Sequence, residues 1–290
     1  MLSPVPRQIQ TELEDVLGTE LTSFSFVGGG CINHGGKLVT KTGVFFLKWN
    51  DVVRFPGMFE AEARGLRLLQ EPNVIHVPKV VAQGNAGSFQ FLVLEFVHSK
   101  PNHAAYWDLF GEQLANLHCV SSGTFGLDHN NFIGSLPQIN SQASNWIDFF
   151  VERRLAVQVK LAIDTGKLAA GIARQFEGLC QKLPSFLPQE KPALLHGDLW
   201  SGNLITNGDG MPCLIDPAAY FGNREIELAF TELFGGFSDR FYEAYDSHFK
   251  LQPGYRSRVQ LYQLYPLLVH ANLFGGGYVS QVVSILKKFV

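Results

Sequence analysis

The spacing of hydrophobic positions changes character several times along the chain. Pro6 to Leu17 carries Ile9, Leu13, Val16 and Leu17 at near-helical spacing, which predicts an opening helix. Leu21 to Val27 alternates enough for a strand, and Gly28, Gly29 and Gly30 end it. Two more strands follow at hairpin spacing, Gly36 to Thr40 and Val44 to Trp49, around a turn at Lys41 to Gly43. Phe59 to Gln70 returns to a helical period through Phe59, Ala63, Leu66 and Leu69. Val77 to Ala82 and Phe89 to Val97 then bring the strand count to five, and the strand pattern stops at His98 to Asn102.

From Ala104 onward the period is mainly helical: Ala105 to His118, Trp146 to Ile163, Ala169 to Leu183, Glu225 to Phe234, Asp239 to Phe249, Arg256 to Phe274 and Tyr278 to Phe289. One short piece interrupts these helices, an apolar strand-like run ending at Asp216 after the turn Asn207-Gly208-Asp209-Gly210. The pattern predicts an α+β protein of two lobes. Residues 1–98 form a small five-stranded antiparallel lobe, and residues 99–290 form a larger, mainly helical one. A ligand cleft is expected where two such lobes meet.

With 290 residues, 46% of them hydrophobic, the chain can bury one large core or two modest ones. A net charge of −3 and the absence of any Lys/Arg-rich run give no basic face for nucleic acid. No apolar run approaches a membrane span, and MLSPVPRQIQTELEDVLG has neither the basic nor the apolar part of a secretory leader. Cys31, Cys119, Cys180 and Cys213 are scattered without metal-ligand spacing, which fits a reduced, cytoplasmic setting.

The candidate chemistry is concentrated in LLHGDLWSGN, Leu194 to Asn203, and CLIDP, Cys213 to Pro217. His196, Gly197, Asp198 and Asn203 reproduce the spacing of the protein-kinase motif H-R-D-x-x-x-x-N. In that motif the Asp faces the acceptor hydroxyl and the Asn holds a metal. Asn203 and Asp216 are hard oxygen ligands of the kind magnesium takes alongside substrate phosphates. Either half alone is also good turn chemistry, since Asp and Asn turn and cap well.

Upstream, the glycines of GGGCINHGG, with Gly29, Gly30 and Cys31 at the centre, lie between two strands. There, backbone N–H groups can approach phosphates. No G-K-[ST] follows, so this is not a Walker A loop. Lys48 ends a strand and could hold the α- and β-phosphates, oriented by a helix glutamate. Glu62 is favoured over Glu60 for that role, although spacing does not decide between them. The exit from the last strand, Glu95, Phe96 and Val97, offers backbone groups to an adenine edge. These residues together point to transfer of a phosphoryl group from ATP with Mg²⁺.

Gly197 replaces the Arg of H-R-D, Pro217 follows Asp216 where Phe-Gly would stand, and no A-P-E follows. Small-molecule kinases fit this pattern better than protein kinases. HGDLWSGN with Trp200, IDPAAYFGNREIELA, FGGF, LYQLY and the Asn272 to Gly275 stretch resemble the fructosamine kinase, or ketosamine-3-kinase, family. GGGCIN, VFFLKWN, MFEAEARGL, FGLDHNNFIGSLPQIN and WIDFFVERRL resemble it too, so the likeness covers nearly the whole chain.

The resemblance implies a protein-kinase-like fold and transfer of the γ-phosphate of ATP to the 3-hydroxyl of a ketosamine. The 3-phosphate is unstable and releases the amine, which repairs glycated proteins or salvages glycated amines. Carried onto matching positions, Asp198 is the base, Asn203 and Asp216 hold Mg²⁺, Lys48 and Glu62 orient the phosphates, and Glu95 to Val97 form the hinge. The acceptor is a small ketosamine or a glycated protein side chain, handled by a monomer or homodimer, with no nucleic acid or membrane involved.

Trp200 and Tyr220 flank the catalytic hairpin and could wall the sugar, or simply pack. Trp146 and Arg153 are lesser candidates. Cys31 in the glycine loop is either a thiolate open to oxidation or an inert small hydrophobe. Two other readings stand beside this one. A kinase of the same fold could act on an aminoglycoside, choline or free sugar, and a non-catalytic nucleotide-binding scaffold would have lost one of Lys48, Asp198, Asn203 or Asp216.

Overall fold

The computed structural model describes residues 2, 4–27 and 33–290, so Gly29, Gly30 and Cys31 of the glycine loop lie outside the described residues. The chain divides into two compact units. The first is Met1–Tyr106 with Gly202–Pro217, and the second is Trp107–Ser201 with Ala218–Val290. The division is therefore not a single cut after residue 98. The segment that carries Asn203 and Asp216 leaves the helical half and belongs with the strands.

In the first unit, strands β1 (Leu21–Phe26), β2 (His34–Thr40), β3 (Val44–Asp51), β4 (Val80–Ala86) and β5 (Phe89–Glu95) form one antiparallel sheet. The order is β1-β2-β3-β5-β4. Alternation along β3 sorts its side chains onto two faces. Leu47 and Trp49 join Leu38, Phe91 and Val93 in a core closed by Ile9 and Leu13 of helix α1 (Arg7–Leu17). Lys48 and Asn50 point the other way, toward helix α2 (Met58–Gln70), where Asn50 meets the Met58 sulfur at 3.3 Å. Phe59, Ala63, Leu66 and Leu69 bury the apolar stripe of α2.

The same unit holds the hairpin of β9 (Leu204–Thr206) and β10 (Pro212–Leu214). Its turn is tied by the Asn207 side chain, whose Oδ1 accepts from Asp209 and Met211 N–H at 2.9 and 3.0 Å.

The second unit contains helices α3 (Tyr106–His118, which begins one residue before it), α4 (Trp146–Phe149), α5 (Ala156–Asp164), α6 (Ile172–Phe186), α7 (Arg224–Thr231), α8 (Asp239–His248), α9 (Tyr255–Phe274) and α10 (Gly277–Phe289). Helix α9 is buried along most of its length and packs against α5, α7 and α10. Two strand pairs complete the unit, β6 (Asn131–Ile133) with β7 (Leu136–Gln138) and β8 (Ala193–Leu195) with β11 (Tyr220–Gly222).

The single helix expected over Trp146 to Ile163 is instead α4, a π-helix over Phe150–Leu155 and α5. Ala156 N–H reaches back five residues to Val151 O, the bond of the wider π turn. Among the described residues no helix is long and apolar enough to cross a membrane.

Candidate active site

In the first unit the structure brings together three of the residues singled out by the sequence. Lys48 Nζ lies 2.6 Å from Glu62 Oε1 and 2.5 Å from Asp216 Oδ1. The ammonium and Glu62 are nearly buried, whereas 46% of the Asp216 side chain is exposed. Burial disfavours the charged Lys48, but the two carboxylates outweigh it and hold its pKa above the ordinary lysine value. Burial also pushes the Glu62 carboxyl up; Lys48 opposes that rise and Asp216 adds to it. Glu60, the alternative partner, is exposed.

Asp216 has φ +57°, a left-handed backbone that few residues other than glycine adopt. Asp and Asn tolerate it best. Asn203 is buried and its carbonyl accepts Ile215 N–H at 3.0 Å, so the open end of the β9–β10 hairpin holds Asn203 opposite the residue before Asp216. Of the expected hinge residues, Glu95 ends β5 and Phe96 and Val97 follow it. Glu95 N–H donates to Lys79 O at 2.8 Å, Glu95 Oε2 accepts Lys79 N–H at 3.2 Å, and the half-buried Phe96 ring stacks edge-on with His98.

Asp198 belongs to the second unit, on the turn that follows β8, and is half-buried. Its N–H donates to Nδ1 of the fully buried His196 at 3.3 Å. Gly197 has φ +84°, and a Cβ there would stand 2.1 Å from Ala218 O. No side chain fits that space, which gives a physical reason for the missing Arg of H-R-D.

The turn is held from α7 by a residue the sequence reading did not single out. Glu227 Oε1 accepts Gly197 N–H at 2.6 Å and Oε2 accepts His196 N–H at 3.2 Å. His118 Nε2 lies 2.9 Å from the same Oε2, and its Nδ1 is 2.7 Å from Tyr245 Oη. Burial alone would raise the Glu227 pKa, but His118 and the Gly197 N–H hold it below the ordinary value. The one available signal was a second acidic residue inside the apolar run REIELAFT.

The two aromatic candidates separate. Trp200 is 37% exposed and meets the Phe234 ring edge-on at 6.0 Å. Tyr220 is fully buried between the Phe149 ring and the Arg154 guanidinium, so it is a packing residue and not an open wall for a sugar. Trp146 is likewise buried in stacked contact with Phe149 and Phe150, and Arg153 pairs with its neighbour Glu152 at 2.8 Å.

Comparison with known proteins decides the family. The sequence model described as fructosamine kinase matches residues 5–290. The chain belongs to the fructosamine kinase family.

A Synechocystis relative named probable ketoamine kinase is 42% identical over 266 residues, covering 90% of this chain and 88% of its own. The Arabidopsis thaliana chloroplastic protein-ribulosamine 3-kinase is 38% identical over 297 residues, covering 99% and 87%. A solved structure from Haemophilus somnus, provisionally named a fructosamine-3-kinase, is 30% identical with a TM-score of 0.87 over 97% of this chain and 96% of that one. An aminoglycoside phosphotransferase at 14% identity and TM-score 0.67, covering 98% and 99%, shares the fold. The two-unit architecture of this family member is thus the protein-kinase-like one.

Proposed function

We propose that this enzyme transfers the γ-phosphoryl group of ATP to the 3-hydroxyl of the sugar part of a ketosamine. The observation that carries the reading is Lys48 held between Glu62 and Asp216 in a chain of the fructosamine kinase family. Relatives named for ketoamines and protein-bound ribulosamine support the acceptor class.

Phosphoryl transfer asks a protein mainly for charge neutralisation and an aligned acceptor. Lys48, kept charged by its two carboxylates and oriented by Glu62, would meet the α- and β-phosphates. Asp198 would accept the proton of the sugar hydroxyl and fix its direction. That role needs no tuned pKa, because orientation supplies much of the rate.

Asn203 and Asp216 would hold magnesium. A magnesium ion of this type takes one or two protein oxygens and completes its shell with phosphates and water. The partly exposed carboxylate of Asp216, set on a strained backbone beside the buried Asn203, fits that demand. When bound, the ion supplies charge neutralisation at the phosphates. The cytoplasm is proposed as the compartment, in keeping with free thiols at Cys119, Cys180 and Cys213.

The decisive experiment is ADP release from Mg-ATP with fructosyl-, ribulosyl- and erythrulosyl-amines, beside choline and an aminoglycoside, with Asp198→Asn as control. Ketosamine-dependent ADP that disappears in the variant is the expected result. Turnover with only another acceptor would move the enzyme to a different substrate class, and nucleotide binding without turnover would make it a scaffold.

A further inference from the structure

The π-helix Phe150–Leu155 is an uncommon backbone of a kind often found at functional sites. Its residue Arg154 is completely buried, and among the described residues no carboxylate pairs with it. Nη1 donates to Ile139 O at 2.5 Å and Arg153 O at 3.2 Å, and Nη2 donates to Asn140 Oδ1 at 2.8 Å. Nε has no partner. The guanidinium lies over the rings of Tyr220 at 4.1 Å, Phe149 at 4.6 Å and Tyr265 at 5.4 Å. Burying a cation without a counter-charge carries a desolvation cost that an apolar side chain of similar volume would not incur.

From Arg154 a chain of buried amides runs to one stretch of backbone. Asn140 Nδ2 donates to Asn131 Oδ1 at 2.9 Å, and Gln138 Nε2 donates to the same oxygen at 2.8 Å. Asn131 Nδ2 then donates to Ala219 O at 2.9 Å, and Gln138 Nε2 to Ala218 O at 3.0 Å. Tyr265 Oη donates to Gln138 Oε1 at 2.6 Å and fixes which way that amide points.

Ala218 is the residue against which the Asp198 turn rests. Its N–H donates to His196 O at 2.9 Å, and its carbonyl fills the space that denies Gly197 a side chain. The Tyr265 phenol, raised by burial, also feels the Arg154 charge pulling its pKa down and the Asp198 charge pushing it up. The network therefore reaches the turn through the Ala218 backbone.

We infer that Arg154, acting through Asn140, Asn131, Gln138 and Tyr265, is a positioning residue for Asp198, locking the Ala218–Ala219 carbonyls that seat the His196–Gly197–Asp198 turn. The inference rests on Asp198 being the acceptor-facing base. It assigns a role to FGLDHNNFIGSLPQIN and WIDFFVERRL, neither of which supplies a group to the proposed chemistry itself.

The test uses Tyr265→Phe, which removes one hydroxyl, and Arg154→Lys, which keeps the charge and loses the planar fork. Each is measured for kcat, for KM toward ATP and the ketosamine, and for hydrogen–deuterium exchange. Both variants should stay folded, lose about tenfold or more in kcat and keep KM for ATP within about twofold, because misplacement of a reacting group acts on kcat. Exchange should quicken in peptides containing His196 to Leu199 and Ala218 to Phe221 and stay unchanged elsewhere.

Wild-type kcat in folded variants, or exchange that rises uniformly, would reduce the network to a structural knot and overturn the inference. If the wild-type enzyme turns over no ketosamine, the functional reading fails separately. The exchange pattern then decides the positioning role alone, localised quickening supporting it and a uniform or absent change overturning it.

Discussion

Glu227 on α7 takes the Gly197 N–H at 2.6 Å, so an ionised carboxylate buried in the second unit fastens the backbone one residue before Asp198. Removing it leaves two backbone N–H groups and His118 without their common acceptor. Glu227→Ala should destabilise the protein by about 3–5 kcal/mol, the usual result of breaking a buried charged pair from one side. Glu227→Gln keeps the shape, loses the charge and should lose about 1–3 kcal/mol. Urea midpoints of the three proteins check the ranking, and a Gln variant as damaged as Ala would deny the charge its role.

The same carboxylate gives a pH dependence of definite sign. Its folded pKa lies below the ordinary value of 4.5, so its contribution is fully present above that pH and is lost as pH falls through the folded value. The stability gap between wild type and Glu227→Gln should therefore be constant near neutrality and narrow below pH 4.5. Denaturant midpoints from about pH 7 down to pH 3 would show it. A gap that widens on acidification contradicts the assignment.

Lys48→Met and Glu62→Gln should separate charge from orientation. If Lys48 meets the phosphates as proposed, loss of the ammonium should lower kcat/KM for ATP on the order of 10²–10³-fold. Glu62→Gln leaves the ammonium with Asp216 and should lower it less, about tenfold, the difference appearing in steady-state kinetics at saturating ketosamine. Equal losses in both variants would mean that Glu62 is needed to keep Lys48 in place at all.

At Asp216 the backbone and the side chain can be tested apart. Asn tolerates φ +57° nearly as well as Asp, whereas Ala does not. Asp216→Asn keeps the backbone but removes one of the two carboxylates beside Lys48, so it should lose a modest amount of stability while turnover falls and the magnesium needed for half-maximal rate rises. Asp216→Ala should show the same kinetic loss plus about 1 kcal/mol of further destabilisation. Magnesium titrations with calorimetry on both variants distinguish the two effects, and an Asn variant with unaltered magnesium demand removes Asp216 as a ligand.

Much of the site could be read in the sequence because its parts are local. The β9–β10 hairpin announces itself through Asn207 to Gly210, and Lys48 and Glu62 sit on a strand and a helix of clear period. What escaped is what burial alone reveals. Glu227 and Arg154 are residue types found mostly at surfaces, and no local spacing marks the few that go inside. For Tyr220 the sequence left wall and packing open for the converse reason, since an aromatic suits a pocket wall and a core equally well.

The π turn escaped because Trp146, Phe149, Phe150 and Leu155 can share a face on either kind of helix. Strand β4 runs over Val80–Ala86, three residues later than the apolar run suggested. It is an edge strand whose polar Gln83-Gly84-Asn85 end does not look like one, while Pro78 lacks an N–H for the ladder.

The interleaving of the two units in sequence also sets an order of events at the ribosome. Lys48 meets Glu62 after only 14 residues, but its other partner, Asp216, is 168 residues away. At about 5–20 residues per second that is a delay on the order of 10–30 s. During that interval the nascent five-stranded sheet carries Lys48 with one carboxylate instead of two. The ion triad is therefore completed only after all of Trp107–Ser201 has been synthesised, and a chain stalled before Asp216 leaves Lys48 with Glu62 as its one carboxylate from this triad.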